Sequence, residues 1–85
     1  MKGSIFLWLA SFLLVAFAQS PSAVERLIDE GRFQEAYEAG LRLGSADGLV
    51  LAAKAASYYA GYIAKDNEKA DWYGRAEAAA RQALQ

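Results

Sequence analysis

The apolar positions of the chain follow two patterns, one continuous and one periodic. The stretch from Ile5 to Ala18 carries no charge and consists largely of leucine, phenylalanine and other apolar residues. From Ala23 onward, apolar residues recur every three or four positions with polar residues between them, which predicts amphipathic helices. A period-two alternation, typical of strands, does not occur. The pattern therefore predicts an apolar N-terminal segment followed by an all-α domain.

The N-terminal segment, residues 1–18, is predicted to be a secretory signal peptide. Lys2 supplies its positive start, and Ala16 and Ala18 place small side chains at the two positions that signal peptidase selects, so cleavage is predicted before Gln19. The apolar run is shorter than the about 20 residues of a membrane-spanning helix. We therefore expect an exported protein, periplasmic or secreted, with a mature domain of residues 19–85. The alternative is an uncut segment, residues 5–18, that anchors the protein in a membrane.

Capping residues divide the first half of the mature domain into two helices. Ser22 and Glu25 fit a capping box, which predicts that the first helix starts there. Gly31 and Gly44 suit the left-handed backbone conformation that commonly ends a helix. The sequence thus predicts a short helix before Gly31 and a second helix between the two glycines.

Two further helices are predicted in the second half. Ser45 is the expected N-cap of the third helix, whose apolar stripe includes alanines and leucines. The polar run from Lys65 to Lys69 is predicted to be a loop. The last helix is then expected from about Glu68 to Leu84, with Asp66 or Asn67 as its N-cap.

Two of the glycines inside predicted helices are informative, because glycine there is unfavourable by about 1 kcal/mol relative to alanine. They are Gly40 in the second helix and Gly74 in the fourth. Glycine and alanine on facing stripes allow helices to approach closely. We therefore expect a close helix crossing at each of these positions.

The turn between the first two helices resembles a known repeat motif. Gly31, Phe33 and Ala36 match the glycine, the aromatic residue and the alanine of the tetratricopeptide repeat. Ala36 and Ala70 are 34 residues apart, which is the length of one repeat in that family. The resemblance extends over about 24–84, although the second copy has Lys65 and Asn67 in place of the glycine and the aromatic residue.

The resemblance implies antiparallel helical hairpins that stack as roughly one and a half to two repeats, preceded by the hydrophobic signal helix. It also implies that the first helix of each pair lines a groove for a peptide or protein. Family members usually contain at least three repeats, so the array is expected to be incomplete or to associate with a partner or with its own copies.

The composition argues against several classes of function. The chain has nine basic and ten acidic residues, and the charges alternate without a basic stripe, so we expect no nucleic-acid binding. It contains no histidine and no cysteine, which removes the commonest general base and the commonest zinc ligands. We expect no enzymatic activity, no metal and no cofactor. A membrane is expected as a partner only through an uncleaved signal segment.

One aromatic group stands out on the third helix. Lys54, Tyr58 and Tyr62 recur at four-residue spacing on one face, next to Tyr59. Tyrosine provides a large amphipathic contact area, which makes these four residues the candidate surface for a protein or peptide partner or for self-association. The alternative is that the tyrosines pack on Trp72 and Tyr73 as part of the core.

Overall fold

A computed structural model describes residues 20–85 as four α-helices in sequence. They are α1 (Pro21–Asp29), α2 (Phe33–Leu43), α3 (Ala46–Tyr62) and α4 (Asp66–Ala83). No strand occurs in this range, so the all-α prediction is confirmed for it. The predicted signal peptide and its cleavage positions, Ala16, Ala18 and Gln19, lie outside the described residues.

The four helices form a bundle organised around α3. Short turns join consecutive helices, which makes sequence neighbours pack side by side in antiparallel order. α3 packs against α1, α2 and α4, and α1 also packs against α2. This order of packing, from one helical hairpin to the next, is compatible with a helical repeat.

Three of the predicted helix boundaries are confirmed. Gly31 and Gly44 have φ angles of 78° and 65°, the left-handed conformation that glycine adopts without steric conflict. The Ser45 side chain accepts a hydrogen bond of 3.1 Å from the backbone N–H of Gly48 at the start of α3.

The predicted capping box at the start of α1 is wrong. The N-cap is Ser20, whose hydroxyl accepts a hydrogen bond of 3.2 Å from the backbone N–H of Ala23, while Ser22 lies within the helix. Pro21 explains the shift. Its fixed φ angle and missing N–H suit the first helical position, so the serine before the proline becomes the cap.

The predicted loop before α4 is too long. The helix begins at Asp66 rather than near Glu68, and Lys65 is its N-cap without a side-chain hydrogen bond. Ala64 is buried, and its backbone N–H donates a hydrogen bond of 2.8 Å to the carbonyl of Tyr59. The connection between α3 and α4 is therefore a short turn. The acidic side chains of the polar run then fall in the first turn of α4, where the helix dipole favours negative charge.

The core consists of two adjoining clusters with small side chains. The first joins α1, α2 and α3 and contains Val24, Ile28, Ala36, Ala39, Leu51 and Ala55. The second joins α3 and α4 and contains Ala56, Ala60, Ala64, Trp72 and Ala76. Within residues 20–85 no polar or charged residue is buried. Alanine makes up more than half of the buried hydrophobic residues. Because its side chain is small, the helices must lie close together if no cavities are to remain between them.

α2 and α3 approach each other closely where they cross at Gly40 and Gly48. A Cβ atom built on Gly40 would lie 2.5 Å from the carbonyl oxygen of Gly48 and 2.9 Å from the Cβ of Ala52. A Cβ atom on Gly48 would lie 2.8 Å from the carbonyl oxygen of Gly40. The prediction of a close crossing is confirmed at Gly40. It is wrong for Gly74, where no atom would lie within 4 Å of an added Cβ, because this side of α4 faces away from α3.

Among the four described helices, none combines the length and the apolar character that a membrane span requires.

The two glycines give a matched test of the crossing. We expect Gly40→Ala to lower the free energy of unfolding by about 1 to 3 kcal/mol, because its Cβ overlaps backbone and side-chain atoms of α3. Gly74→Ala should raise it by about 0.5 to 1 kcal/mol, because the site is open and alanine favours the helix. Urea denaturation followed by circular dichroism measures both values. Equal effects of the two substitutions would contradict the crossing.

Candidate partner surface

The four candidate residues of α3 divide between two sides of the helix. Lys54 and Tyr62 are exposed, whereas Tyr58 and Tyr59 are half-buried. Tyr58 packs against the first core cluster, and Tyr59 packs against the second. The sequence spacing explains the division, since Lys54, Tyr58 and Tyr62 follow one another at successive turns, and Tyr59 lies about 100° away around the helix.

Phe33, Tyr58 and Tyr62 form a row of contacting rings, which together with Lys54 we call the aromatic strip. The ring centroids of Phe33 and Tyr58 are 5.5 Å apart, and those of Tyr58 and Tyr62 are 5.9 Å apart. The Lys54 ammonium lies 5.8 Å from the centroid of Tyr58, within the range of a cation–π interaction. Tyr62 is 79% exposed, so this end of the strip is open to solvent.

Phe33 joins the strip because of helix topology. The start of α2 and the end of α3 lie at the same end of an antiparallel pair, which brings Phe33 beside Tyr58. In the sequence, Phe33 is noticeable only as a repeat-motif residue and as part of the apolar face of α2. Its place on the surface follows from pairing two helices, which the spacing within a single helix does not reveal.

Tyr59 belongs to a different group, centred on Trp72. The rings of Tyr59 and Trp72 have centroids 4.5 Å apart, and Tyr37 contacts Trp72 edge to face at 5.4 Å. The guanidinium of Arg75 covers the Trp72 ring at 4.6 Å from its centroid. Trp72 is only 8% exposed, so Tyr59 contributes to the packing of α3 on α4. Tyr73 stays half exposed, and no aromatic pair joins it to the tyrosines of α3 in the described part of the chain.

The residues of the repeat-like motif occupy unequal positions. Gly31 ends α1, Phe33 starts α2, and Ala36 is fully buried in the first cluster. Ala70 is exposed on α4. The spacing of 34 residues therefore does not place Ala36 and Ala70 in equivalent environments.

The ion pairs of the described residues do not include any residue of the aromatic strip. Arg32 pairs with Glu30 and Glu35, and the hydrogen bond to Glu35, followed by its charge, raises the pKa of Arg32 above its usual value. The other pairs join residues within α4, including Glu77 and Arg81, which are four residues apart on one face of the helix. Lys54 has no carboxylate within ion-pair distance among residues 20–85.

The described residues hold neither a cluster of metal-ligating side chains nor an unpaired buried polar side chain. In the described range, no group of three acidic, histidine or cysteine side chains could hold a metal ion. No buried side-chain nitrogen or oxygen of that range lacks a hydrogen-bond partner, so none is held ready for a ligand. The exposed rings and the ammonium of the strip offer apolar, hydroxyl and cationic contacts to a partner.

Comparison with known proteins adds no family to this description. No family model, curated protein or solved structure matches the chain. A functional assignment therefore depends on the residues of the chain itself.

The two sides of α3 differ in what their tyrosines contribute to stability. We expect Tyr59→Ala to lower the free energy of unfolding by about 2 kcal/mol, because it removes a half-buried ring from Trp72. Tyr62→Ala should change it by less than about 0.5 kcal/mol, since most of the ring is in solvent. Thermal melts of both variants check the difference. A large loss for Tyr62→Ala would show that the strip is part of the core.

Proposed function

We propose that the protein is exported and that its helical domain is an interaction module, which binds a protein or peptide partner or a second copy of itself and catalyses no reaction. The observation that carries this proposal is the aromatic strip, in which three adjoining rings reach the surface of an otherwise alanine-rich bundle. Tyr62 is exposed and continues a row of two half-buried rings, and aromatic side chains are enriched at binding sites.

The scaffold suits a binding role because it holds the strip in place. Tyr58 and Phe33 are packed against the first core cluster, so their rings are fixed before any partner arrives. These side chains therefore lose little conformational entropy when a partner binds. The finer architecture that we propose is a short array of tetratricopeptide-like hairpins, supported by the turn at Gly31 and by the packing of α3 on both helices of the first hairpin.

The proposed export is supported by the sequence of residues 1–19. The apolar run, the positive start and the small residues before Gln19 together favour a cleaved signal peptide. In this proposal the module acts in the periplasm or outside the cell. Retention of residues 5–18 as a membrane anchor is the outcome that would replace it.

Export is tested by the mass of the protein recovered from an exporting host. We expect a mature chain that begins at Gln19. Ala18→Phe should block cleavage, because a large side chain does not fit the peptidase site, whereas the control Ala10→Phe within the apolar run should be processed normally. Mass spectrometry of the three proteins distinguishes the cases. A wild-type mass that retains residues 1–18 would favour the anchored alternative.

Association is tested by substituting one exposed tyrosine inside the strip and one outside it. Light scattering across a dilution series gives the molar mass, and circular dichroism gives the helical content. If a second copy is the partner, Tyr62→Ser should shift the dissociation midpoint to about tenfold higher concentration, as loss of an aromatic anchor does. Tyr73→Ser, the control, should leave it unchanged.

If the chain is folded and monomeric at every concentration, the partner of the strip is a different protein or peptide and not a second copy. An assembly that is weakened by Tyr73→Ser and not by Tyr62→Ser would place the interface elsewhere. A chain that is unfolded at every concentration would contradict a preformed binding surface.

A further inference from the structure

The charges near the aromatic strip indicate the chemistry of its partner. Lys54 is exposed and has no ion pair among the described residues. Helical neighbours three and four positions away are those that a lysine can pair with, and here none is acidic. They are Val50, Leu51, Ser57 and Tyr58.

Most cations of the second hairpin are compensated within their own helix. Lys69, Arg75 and Arg81 each pair with a carboxylate three or four residues away on α4. α3 is different, because Lys54 is its one basic residue and its one acidic residue, Asp47, lies two turns earlier. The strip therefore presents a positive charge that its own helix does not balance.

The position of this charge relative to the rings is also informative. The Lys54 ammonium lies over the face of Tyr58, which orients the ammonium beside apolar surface without neutralising it. A carboxylate that approaches here gains more than it would at an isolated surface lysine, because the neighbouring rings exclude part of the solvent.

The rings of the strip offer apolar surface at more than one angle. Phe33 and Tyr58 are tilted by 50° to each other, and Tyr58 and Tyr62 by 39°. Rings tilted in this way present both edges and faces, on which aliphatic side chains or proline rings can pack. In an extended peptide, side chains on one face recur about every 6.6 Å, so two of them can lie along adjacent rings.

We propose that the aromatic strip binds an acidic, apolar peptide segment of a partner protein, with a carboxylate paired to Lys54 and neighbouring apolar side chains packed on the rings. This inference rests on the proposed function, since it specifies the partner of the same surface. Nucleic acid is a poorer fit to the same charge, because phosphate binding requires several cations and the strip has one.

The experiment is a titration of the isotope-labelled protein, recovered after export of the full chain, with three synthetic peptides. The peptides share leucine and proline positions and carry glutamate, glutamine or lysine between them. Nuclear magnetic resonance then reports which backbone amides shift. We expect the glutamate peptide to shift amides around Phe33 and from Lys54 to Tyr62, and the other two peptides to bind at least about fivefold more weakly.

Charge reversal supplies the matched variants. Lys54→Glu should weaken binding of the glutamate peptide by about five- to tenfold, and added salt should reduce the difference. Arg42→Glu changes the net charge equally at an exposed arginine of α2 that has no ion pair in the described range, and it should leave the affinity unchanged. Thermal melts of both variants show whether the fold is intact.

The outcomes separate this inference from the proposed function. Equal binding of all three peptides at the strip would overturn the requirement for a carboxylate and leave a peptide-binding surface. Shifts confined to other parts of the bundle, or no shifts at all, would overturn the inference, and the dilution series with Tyr62→Ser then decides the proposed function alone. Equal weakening by Lys54→Glu and Arg42→Glu would reduce the effect to net charge and overturn the pairing.

Discussion

The crossing of α2 and α3 at Gly40 sets the geometry on which the rest of the bundle depends. A Cβ atom on Gly40 would lie 2.5 Å from the carbonyl oxygen of Gly48, and one on Gly48 would lie 2.8 Å from that of Gly40, so neither position has room for a side chain. This approach lets alanine serve as a core residue, because a methyl group can span the gap between helices only when the helices are close. The alanine packing between α2 and α3 in the first core cluster is consistent with it.

The same pair of helices is separated by much larger groups at its other end. Gly40 and Gly48 lie near the end of α2 and the start of α3, whereas Phe33 and Tyr58 face each other at the start of α2 and near the end of α3. Aromatic rings need more room than hydrogen atoms. The seam therefore changes along its length from backbone contact to ring packing, and the rings that fill the wider end extend to the surface as the aromatic strip.

The sequence predicts helix boundaries where a single residue determines them. Gly31 and Gly44 end helices because other residues disfavour a positive φ angle, and Ser45 caps α3 because its hydroxyl reaches the free N–H groups of the first turn. Competing signals explain the errors. Ser20 and Ser22 both precede an apolar run, and the proline between them decides in favour of Ser20. The charged run after Lys65 resembles a loop, yet acidic residues are equally favourable in a first helical turn.

Properties that depend on two helices were predicted less well from the sequence. Gly40 and Gly74 have the same local context inside a helix, but only Gly40 faces another backbone. Tyr58 and Tyr59 are adjacent in sequence, but one packs towards Phe33 and the other towards Trp72. Helical periodicity gives the angle between such residues. It does not show which helix packs against each face of α3. The positions of the neighbouring helices decide which aromatic residues reach the surface.

The position of the strip on the seam links binding to folding. Phe33 belongs to α2 and Tyr58 to α3, so a ligand on both rings holds the two helices together at the end opposite the glycine crossing. Ligands that bind only the folded chain stabilise it in proportion to the logarithm of their concentration relative to the dissociation constant. A small domain with a core mainly of alanine gains less from burial than one filled with leucine. Contacts made by the proposed partner across this seam would therefore add to stability at the end opposite the glycine crossing.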